Sequence, residues 1–444
     1  MAKLKILIIS FFILSGFFCF SQTSHAADYY VSPSGSASWN QCTNINTPCS
    51  VYTAFSNATA GDTVYFRGGT YNIKGTTSWY QPDLAPSNSG TPSSPIIFQG
   101  YPGETAIFVG DNANSPVFGT SVGNYHDIIF KNFTVDTSAA SASNIRCAFK
   151  LNGGSNITIE NIIAIGHYLP ITDHHAVIET SDGGPFTIRN CKIYNGTGND
   201  TSGISSWNNT NLIVENNEIY NCYRGIDSVE VNTNNIYRYN YIHNVTELGM
   251  RIYYQNGGSS GVKIYQNIIE GGIYFNGGDG PLPNNLVYNN TLYKGNIGFV
   301  GAPYLEIFNN IIWHEVTSGD NEADSFIVYL SSTDPGIINY NLYWGRPLLF
   351  GYRIYGGGSW YYSMPWGPQG YDANSKNQNP SFVNAGSGLA TGFKLNAGSP
   401  ALTGGRGGSY ATVMGAYITG NETIGLIPSP DTTPPAAPRN LIIL

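Results

Sequence analysis

"NITIENIIAIGH" (156–167), "FTIRNCKIYNGTG" (186–198) and "LIVENNEIYNCYRGI" (212–226) share one pattern: a short alternating strand, an asparagine, and a second short alternating strand. The pattern recurs with asparagines at Asn132, Asn161, Asn190, Asn216, Asn240, Asn267, Asn290, Asn310 and Asn341. These asparagines are 20 to 31 residues apart. A strand-built repeat of this period predicts a solenoid whose coils stack at the ~4.8 Å spacing of hydrogen-bonded strands.

The recurring asparagine suits a turn that is repeated in every coil. Its side chain tolerates left-handed backbone geometry, and it can hydrogen-bond the same residue of the next coil. We therefore expect one column of asparagines along the stack. No helical pattern separates the strands and leucines are few, which excludes βαβ and leucine-rich repeat folds.

Composition limits the classes of partner. The chain has 444 residues and a net charge of −8, which argues against nucleic acid, since such binding requires an excess of Lys and Arg. Charged residues make up only 11% of the chain, but 41% hydrophobic and 14% aromatic residues are enough for a core. The negative charge gives no long-range attraction to an acidic polysaccharide, so any such binding must depend on local groups.

The first 26 residues have the features of a signal peptide. Lys3 and Lys5 precede an apolar run at 6–20, and small residues lead to a predicted cleavage site after Ala26. No other stretch is apolar and long enough to span a bilayer. We therefore predict a secreted protein without membrane insertion.

Five cysteines follow the predicted cleavage site. Cys42 and Cys49 lie in a polar loop at a spacing that a small disulfide could close, which export permits. Cys147, Cys191 and Cys222 are far apart in sequence and are predicted to be buried thiols.

Both ends of the chain resemble a known superfamily. "DYYVSPSGS" (28–36) and "PCSVYTAFSNATAGDTVYFRGGTY" (48–71) are similar to the entry segment of secreted pectin-lyase-like proteins, and "NPSFVNAGSGLATGFKLNAGSPALTGGRGG" (379–408) is similar to the closing segment of bacterial ones. The resemblance implies an all-β fold, a right-handed parallel β-helix of about ten coils. It also implies a capping helix at 51–57, a loop cap over the last coil, and a bacterial origin.

The chain accordingly divides into five parts. They are a signal peptide (1–26), an N-terminal cap with the first coils (27–120), the β-helix (121–378), a C-terminal capping segment (379–420) and a Pro-rich tail (421–444). The tail is similar to linkers that introduce a further module.

In the superfamily that the chain resembles, active sites lie on the outer face of one parallel sheet. The candidate strands are "AFKLNG" (148–153), "HAVIETSD" (175–182), "GISSWNN" (203–209), "GIDSVEV" (225–231), "GMRIYYQNG" (249–257) and "GIYFNGG" (272–278). Strand alternation predicts the outward-facing residues. They are Lys150, Ile178 or Glu179, Ser205 with Trp207, Asp227, Arg251 with Tyr253, and Tyr274.

This outward row favours an acidic polysaccharide as the partner and β-elimination as the reaction. Such a reaction requires neutralisation of the uronate carboxylate and a base. The resemblance implies that Arg251 stabilises the developing charge and that Lys150, His174 or His175 is the base. It also implies that Asp227, Glu230 and Glu179 could hold Ca2+.

The remaining candidates bind sugar, since aromatic faces and polar edges suit sugar rings. They are Trp207, Tyr253, Tyr274 and Asp200.

Two alternatives remain open. Glycoside hydrolysis needs paired carboxylates, and Asp200 with Asp227, or Glu179 with Asp227, would lie one or two coils apart, which is admissible for a retaining or an inverting enzyme. The other alternative is a non-catalytic surface adhesin or polysaccharide-binding module, which the low overall charge does not exclude. The oligomeric state does not follow from the sequence.

Overall fold

The computed structural model describes residues 26–120, 123–141, 144–168, 175–254, 259–277, 284–300, 305–315, 328–330, 336–346, 350–354, 357–367 and 369–427. The predicted signal peptide except Ala26, the candidate base His174, and 428–444 of the Pro-rich tail lie outside these residues. Within the described residues, no helix is long and apolar enough to cross a membrane.

The strands stack into three ladders of neighbouring coils, which we call ladders A, B and C. Ladder A, with 12 parallel strands, consists of Asp28–Val31, Thr63–Phe66, Ile96–Gly100, His126–Lys131, Ser155–Glu160, Phe186–Arg189, Ile213–Glu215, Ile236–Arg238, Lys263–Tyr265, Leu286–Tyr288, Glu306–Phe308 and Ile338–Asn339. Ladder B consists of Gly69–Ile73, Ala106–Gly110, Thr134–Asp136, Ile163–Ile165, Lys192–Tyr194, Glu218–Val229, Tyr241–Tyr254, Ile268–Glu270, Thr291–Tyr293, Ile311–Glu315, Leu342–Arg346 and Lys376–Asn377.

Ladder C carries the candidate site. It consists of Phe118–Thr120, Phe149–Asn152, Ala176–Ser181, Ser202–Trp207, Glu218–Val229, Tyr241–Tyr254, Ile273–Gly277, Ile297–Val300, Val328–Leu330 and Phe350–Ile354, with Gly357–Tyr361 antiparallel to the last strand. Glu218–Val229 and Tyr241–Tyr254, of 12 and 14 residues, run through both ladders B and C. Every other pairing between successive coils is parallel, so the predicted all-β parallel β-helix is confirmed. The prediction was about ten coils. Among the described residues, the number of coils that have three separate strands is smaller than this.

The interior is a set of apolar columns that run along the stack. The column on ladder A consists of Val64, Phe98, Phe130, Ile159, Ile188, Val214, Tyr237, Ile264, Val287, Ile307 and Ile338, all nearly or fully buried. The Tyr237 hydroxyl is paired with Ser206 and Ser228 inside the coil. Strand alternation therefore produces a continuous core, as the repeat predicted.

The capping helix is α1 (Val51–Asn57), with the predicted bounds. Ser50 begins it, because its hydroxyl accepts a hydrogen bond from the backbone N–H of Thr53 at 3.1 Å. Phe55 stacks on Phe98 with ring centroids 4.2 Å apart, which covers the open end of the apolar column. Short 3-10 helices are present at Trp39–Gln41, Ala385–Ser387, Ala390–Phe393 and Pro400–Leu402.

The asparagines form two neighbouring columns, where one was predicted. Asn132, Asn161, Asn190 and Asn216 have positive φ and belong to a left-handed turn column. Asn240, Asn267, Asn290, Asn310 and Asn341 lie one position later and are fully buried. Each buried asparagine bonds the next through its amide, as from Asn267 Nδ2 to Asn290 Oδ1 at 3.0 Å. The turn column shows the predicted combination, since the left-handed Asn161 also donates from Nδ2 to Asn132 Oδ1 at 2.9 Å. The prediction was wrong only in placing all nine asparagines in one column.

The last coil is covered by residues that precede the predicted capping segment. Trp366 stacks on Phe350 at 5.1 Å, and the buried Asp372 carboxylate accepts hydrogen bonds from Trp366 Nε1 and the Tyr343 hydroxyl. Residues 411–427 instead run back along the side of the stack. Their carbonyls accept hydrogen bonds from turn-column amides, from Asn309 at one end to Asn216 near the other.

The cysteines are placed as the sequence indicated. Cys42 and Cys49 form a disulfide. Cys147, Cys191 and Cys222 are buried free thiols, and burial raises the pKa of each above its ordinary value. None of these three is therefore a reactive thiolate.

Candidate active site

The register of ladder C aligns the outward residues in a straight row. The row consists of Lys150, Glu179, Ser205, Asp227, Arg251 and Tyr274. Of the two candidates for the outward position in strand Ala176–Ser181, Ile178 points into the core with no exposed surface, so Glu179 is the residue that faces outward. Trp207 and Tyr253 belong to a second row on the same face, two residues further along each strand. Val229 lies between them in this row. Ladder C thus brings together most of the residues that the sequence selected.

Lys150, Glu179 and His175 form one polar cluster at the start of the row. Lys150 Nζ lies 2.7 Å from Glu179 Oε2, and His175 Nδ1 lies 2.9 Å from Glu179 Oε1. The Cys147 thiol and the backbone N–H of Ala176 also donate to Glu179 Oε1. The three titratable side chains are less than a tenth exposed. Their charges therefore interact with little screening by solvent.

This pairing fixes the charge of both partners. Burial raises the pKa of Glu179, but the Lys150 ammonium and the His175 hydrogen bond outweigh it and hold that pKa well below its ordinary value. Burial lowers the pKa of Lys150, but the Glu179 carboxylate more than reverses this, so the net pKa of Lys150 is raised. Lys150 is consequently a cation at neutral pH and a poor proton acceptor.

Two aromatic residues that the sequence analysis did not select cover this cluster. Trp79 and Tyr80 come from the loop after Gly69–Ile73, and the Lys150 ammonium lies 4.5 Å from the ring centre of Trp79 and 5.7 Å from that of Tyr80. With Trp207 on the other side they line a cavity of about 280 Å3. The repeat pattern gives no signal for these residues, since they lie in an irregular loop about 70 residues before Lys150 in sequence.

Asp227 and Arg251 form a second cluster two coils further along. Asp227 is fully buried, and it accepts hydrogen bonds from Arg251 Nε at 2.8 Å and Arg251 Nη2 at 2.6 Å. This is the two-pronged geometry that holds a guanidinium in one orientation. Asp200, from the turn before Ser202–Trp207, lies 3.4 Å from Arg251 Nη2. Arg251 also lies 5.1 Å from the ring centre of Tyr253.

Arg224 is a member of this cluster that the sequence analysis missed. It forms ion pairs with Asp200 and Glu247, and its Nη1 lies 3.5 Å from Asp227 Oδ2. The sequence analysis began the strand at Gly225, which left Arg224 in a turn. Strand Glu218–Val229 instead continues from ladder B into ladder C, with a register shift after Cys222, and this places Arg224 beside Asp227.

The three residues selected as calcium ligands do not form one donor set. Glu179 and Asp227 are two coils apart, ~9.6 Å along the stack, whereas Ca2+ requires oxygens at ~2.3–2.6 Å. Their carboxylates are bonded to Lys150 and Arg251, respectively. Glu230 lies in the turn after the ladder strand. In the part of the chain that the structure describes, no three His, Cys, Asp or Glu side chains could share a metal ion.

Comparison with known proteins agrees with this architecture. Residues 29–290 match the family model described as "Pel9A-like, right handed beta helix region". Pectate lyase PEL9 of Emericella nidulans is 30% identical over 213 residues, which cover 41% of this chain and 48% of that relative. The chain thus matches about half the length of this curated relative.

Two solved structures share the fold. Pectate lyase Pel9A matches with a TM-score of 0.54 at 16% identity, covering 88% of this chain and 96% of that chain. XylC in complex with xylose matches with a TM-score of 0.51 at 13% identity, covering 65% of this chain and 69% of that chain. At these identities the structures establish the fold alone. The family model spans more than half of the sequence, and the chain therefore belongs to the Pel9A-like right-handed β-helix family.

Proposed function

We propose that this protein cleaves an acidic, uronic-acid polysaccharide by β-elimination along the outer face of ladder C. The observation that carries the proposal is the single row in which Lys150 and Arg251 lie four coils apart, beside Trp79, Trp207 and Tyr253. This row concentrates cations and aromatic rings in a chain with only 11% charged residues. Homology to a pectate lyase supports the same class of substrate.

The chemistry requires charge neutralisation next to the reacting carbon. The proton beside the uronate carboxylate becomes acidic when a cation binds that carboxylate. A base removes this proton, its electron pair forms the new double bond, and the glycosidic C–O bond on the adjacent carbon breaks with its electrons moving to the leaving oxygen. Lys150 is the proposed cation for this carboxylate, because it is bonded to the same Glu179 as the candidate base His175. Arg251 lies four coils from Lys150 and would bind another carboxylate of the polymer.

His175 is the base that we favour over Lys150. Lys150 is held in its charged form by Glu179, whereas His175 is placed by the same carboxylate through Nδ1. A carboxylate on Nδ1 favours the tautomer whose Nε2 accepts a proton. In this scheme Lys150 binds a substrate carboxylate. His174, which lies outside the described residues, remains a second candidate for the base.

Hydrolysis by paired carboxylates is disfavoured by the surroundings of Glu179. A general acid needs a raised pKa, and Lys150 with His175 lowers the pKa of Glu179 instead. The candidate partner Asp227 is bonded through both oxygens by Arg251. A non-catalytic polysaccharide-binding role is the alternative outcome of the experiment below.

The test is incubation of the protein with pectate, alginate and chondroitin, followed by ultraviolet absorbance of unsaturated chain ends. We expect absorbance to rise with one of these polymers. The rate of this rise should fall ~10²–10³-fold in Lys150→Gln, the loss typical of one electrostatic stabiliser. Lys263→Ala, on the exposed face of ladder A, is the matched control and should retain the wild-type rate.

Thermal unfolding of each variant separates lost activity from lost folding. Binding of a polymer without any unsaturated product would overturn the lyase proposal and favour the binding module. A retained rate in a folded Lys150→Gln variant would overturn the role of Lys150.

We also propose that the protein is secreted, on the basis of the signal-peptide features of residues 1–26. Expression of the full chain in a bacterial host with an export pathway should yield a mature protein that begins at Ala27. N-terminal sequencing of the culture-medium or periplasmic fraction gives the answer, and a cytoplasmic product that retains Met1 or Ala2 would contradict the proposal.

A further inference from the structure

The outward row of ladder C ends abruptly on the N-terminal side of Lys150. The residue in register before Lys150 is Gly119, which has positive φ. A β-carbon built on Gly119 would overlap the backbone carbonyl of Lys150 and lie 3.0 Å from the ring of Pro82. Leu84 of the loop pairs with Phe118, the residue before Gly119. The loop of residues 74–95 thus occupies the position where the row would continue. A polysaccharide chain lying along the row meets this loop just beyond Lys150.

The loop is joined to the β-helix as an additional rung. Leu84 pairs with Phe118 in parallel, and the backbone N–H of Asp83 donates to the Pro116 carbonyl at 2.9 Å. Pairing of this kind continues the hydrogen bonds of ladder C past its first regular strand. The loop is therefore part of the folded stack and not a loose cover.

The buried side chain of Arg146 holds the same loop through an ion pair and hydrogen bonds. Arg146 has no exposed side-chain surface, forms an ion pair with the buried Asp83, and donates to the Ser115 hydroxyl at 2.9 Å and the Ile73 carbonyl at 3.2 Å. The Ser115 hydroxyl in turn donates to Asp83 at 2.9 Å. A buried ion pair with several hydrogen bonds of this kind holds the loop in one position.

The cavity at this closed end has the size and lining of a subsite for one sugar residue. Its volume of about 280 Å3 is near the ~300 Å3 lower limit for pockets that hold drug-sized molecules. Trp79, Tyr80 and Trp207 supply aromatic walls, while Asn152 and Asn208 supply amide groups. At its base, Lys150 uses one of its three N–H donors on Glu179.

We propose that the protein acts at the end of its polysaccharide, with one terminal uronate residue in this cavity and the carboxylate of that residue at Lys150. This inference rests on the proposed function and adds the position of attack. The loop of residues 74–95 blocks a chain from passing beyond Lys150, so internal bonds far from a chain end cannot reach Lys150 and His175. Trp79 and Tyr80 determine this selectivity without contacting the bond that breaks.

The test compares loss of viscosity with the number of bonds broken, on whichever polymer the wild type cleaves. We expect viscosity to fall slowly and short unsaturated products to be present from the earliest times. In Trp79→Ala/Tyr80→Ala, which removes the part of the loop above Lys150, viscosity should fall several-fold faster per bond broken. Trp360→Ala, a 40% exposed tryptophan on another strand, should keep the wild-type products. Long early products from the wild type, or unchanged products from the loop variant, would overturn the proposal.

A binding measurement keeps the subsite testable if no polymer is cleaved. Galacturonate, glucuronate and mannuronate are titrated into the protein, and tryptophan fluorescence is followed. Binding to the wild type that is lost in Trp79→Ala and kept in Lys263→Ala supports the cavity as a uronate subsite even though the lyase proposal has failed. Absence of binding by all three sugars, together with absence of cleavage, would overturn both proposals.

Discussion

Each carboxylate in the outward row of ladder C is bonded to a cation of the neighbouring coil, and this arrangement decides what the residues can do. Asp227 orients Arg251, and Glu179 keeps Lys150 charged. Sequence alternation identified all four residues, because inward and outward positions alternate strictly. It could not show which pairs are in contact, since that depends on the register between coils. Arg224 was missed because a strand ran through the turn that the repeat predicted.

Glu179 should make the stability of the protein depend on pH. Its pKa in the folded state lies below the ordinary value of 4.5, so its contribution to stability is complete above pH 4.5 and is lost as the pH falls further. Glu179→Gln should unfold at a lower temperature than the wild type at neutral pH, since breaking a buried ion pair costs ~3–5 kcal/mol. The difference in unfolding temperature between the variant and the wild type should become smaller in acid. Thermal unfolding at a series of pH values measures it.

The control for this variant is Glu160→Gln. Glu160 is paired with Arg189 on the surface, and exposed pairs contribute only ~0–1 kcal/mol. If the unfolding temperatures of Glu179→Gln and the wild type differed by the same amount from neutral to acid pH, the assigned role of Glu179 would be contradicted.

Calcium should not be required for activity at this site. The carboxylates of Glu179 and Asp227 already bond Lys150 and Arg251, and a divalent cation would have to displace these groups. We expect the rate of formation of unsaturated ends to be the same with added Ca2+ and with EDTA. Loss of activity in EDTA, restored by Ca2+, would show that a metal binds elsewhere or rearranges the row.

At the scale of the elements, the strand positions and the capping helix could be predicted from local patterns. Alternation predicts the strands, and the resemblance of the entry segment to a known superfamily implied α1, whose first turn Ser50 caps in the structure. The two asparagine columns could not be separated in this way. Neighbouring asparagines such as Asn216 and Asn217 occur in the same turn, and the choice between them depends on which side chain points into the coil.

The buried asparagine column should contribute more to stability than the turn column. Asn267 donates to the Tyr237 carbonyl at 2.9 Å and to Asn290, and accepts from Asn240. Asn267→Ala leaves these buried groups unsatisfied at ~1–3 kcal/mol each, so the free energy of unfolding should fall by several kcal/mol. Denaturant unfolding measures this change.

Asn161→Gly is the matched substitution in the turn column. Asn161 has φ of 53°, a conformation that glycine adopts readily, and its hydrogen bonds to Asn132 and Asn190 are only partly buried. This variant should therefore lose less stability than Asn267→Ala, whose lost bonds are fully buried. Equal losses in the two variants would contradict the division of the asparagines into two columns.

At the scale of the whole molecule, the sequence predicted the type of solenoid and its capping helix, but not the loop that closes the row at Lys150 or the path of the C-terminal segment. A repeat of short strands has few other ways to bury its apolar residues, so the fold class followed from the period. The loop that closes the row at Lys150 and the segment that returns along the stack depend on contacts between distant residues. Asn216, for example, donates to the carbonyl of Thr423, 207 residues later. Local patterns carry no information about such contacts.

The returning segment should stabilise the whole stack and not only its last coil. Tyr417 and Ile424 are buried against Tyr241, Ile268 and neighbouring residues, and burial of such side chains contributes ~1.5–3 kcal/mol each. A chain that ends at Gly404 should therefore unfold at a lower temperature and aggregate, because these apolar side chains and the turn-column amides become exposed.

A chain that ends at Ile427 is the control, since it keeps every contact described for the segment. We expect it to unfold at the temperature of the full chain, measured by circular dichroism, with light scattering to detect aggregates. If the chain that ends at Gly404 were as stable and as soluble as the control, the segment would be a passive extension. If the control were the more stable of the two, residues 405–427 would hold successive coils together. The hydrogen bonds that Asn309 and Asn216 donate to this segment indicate the same.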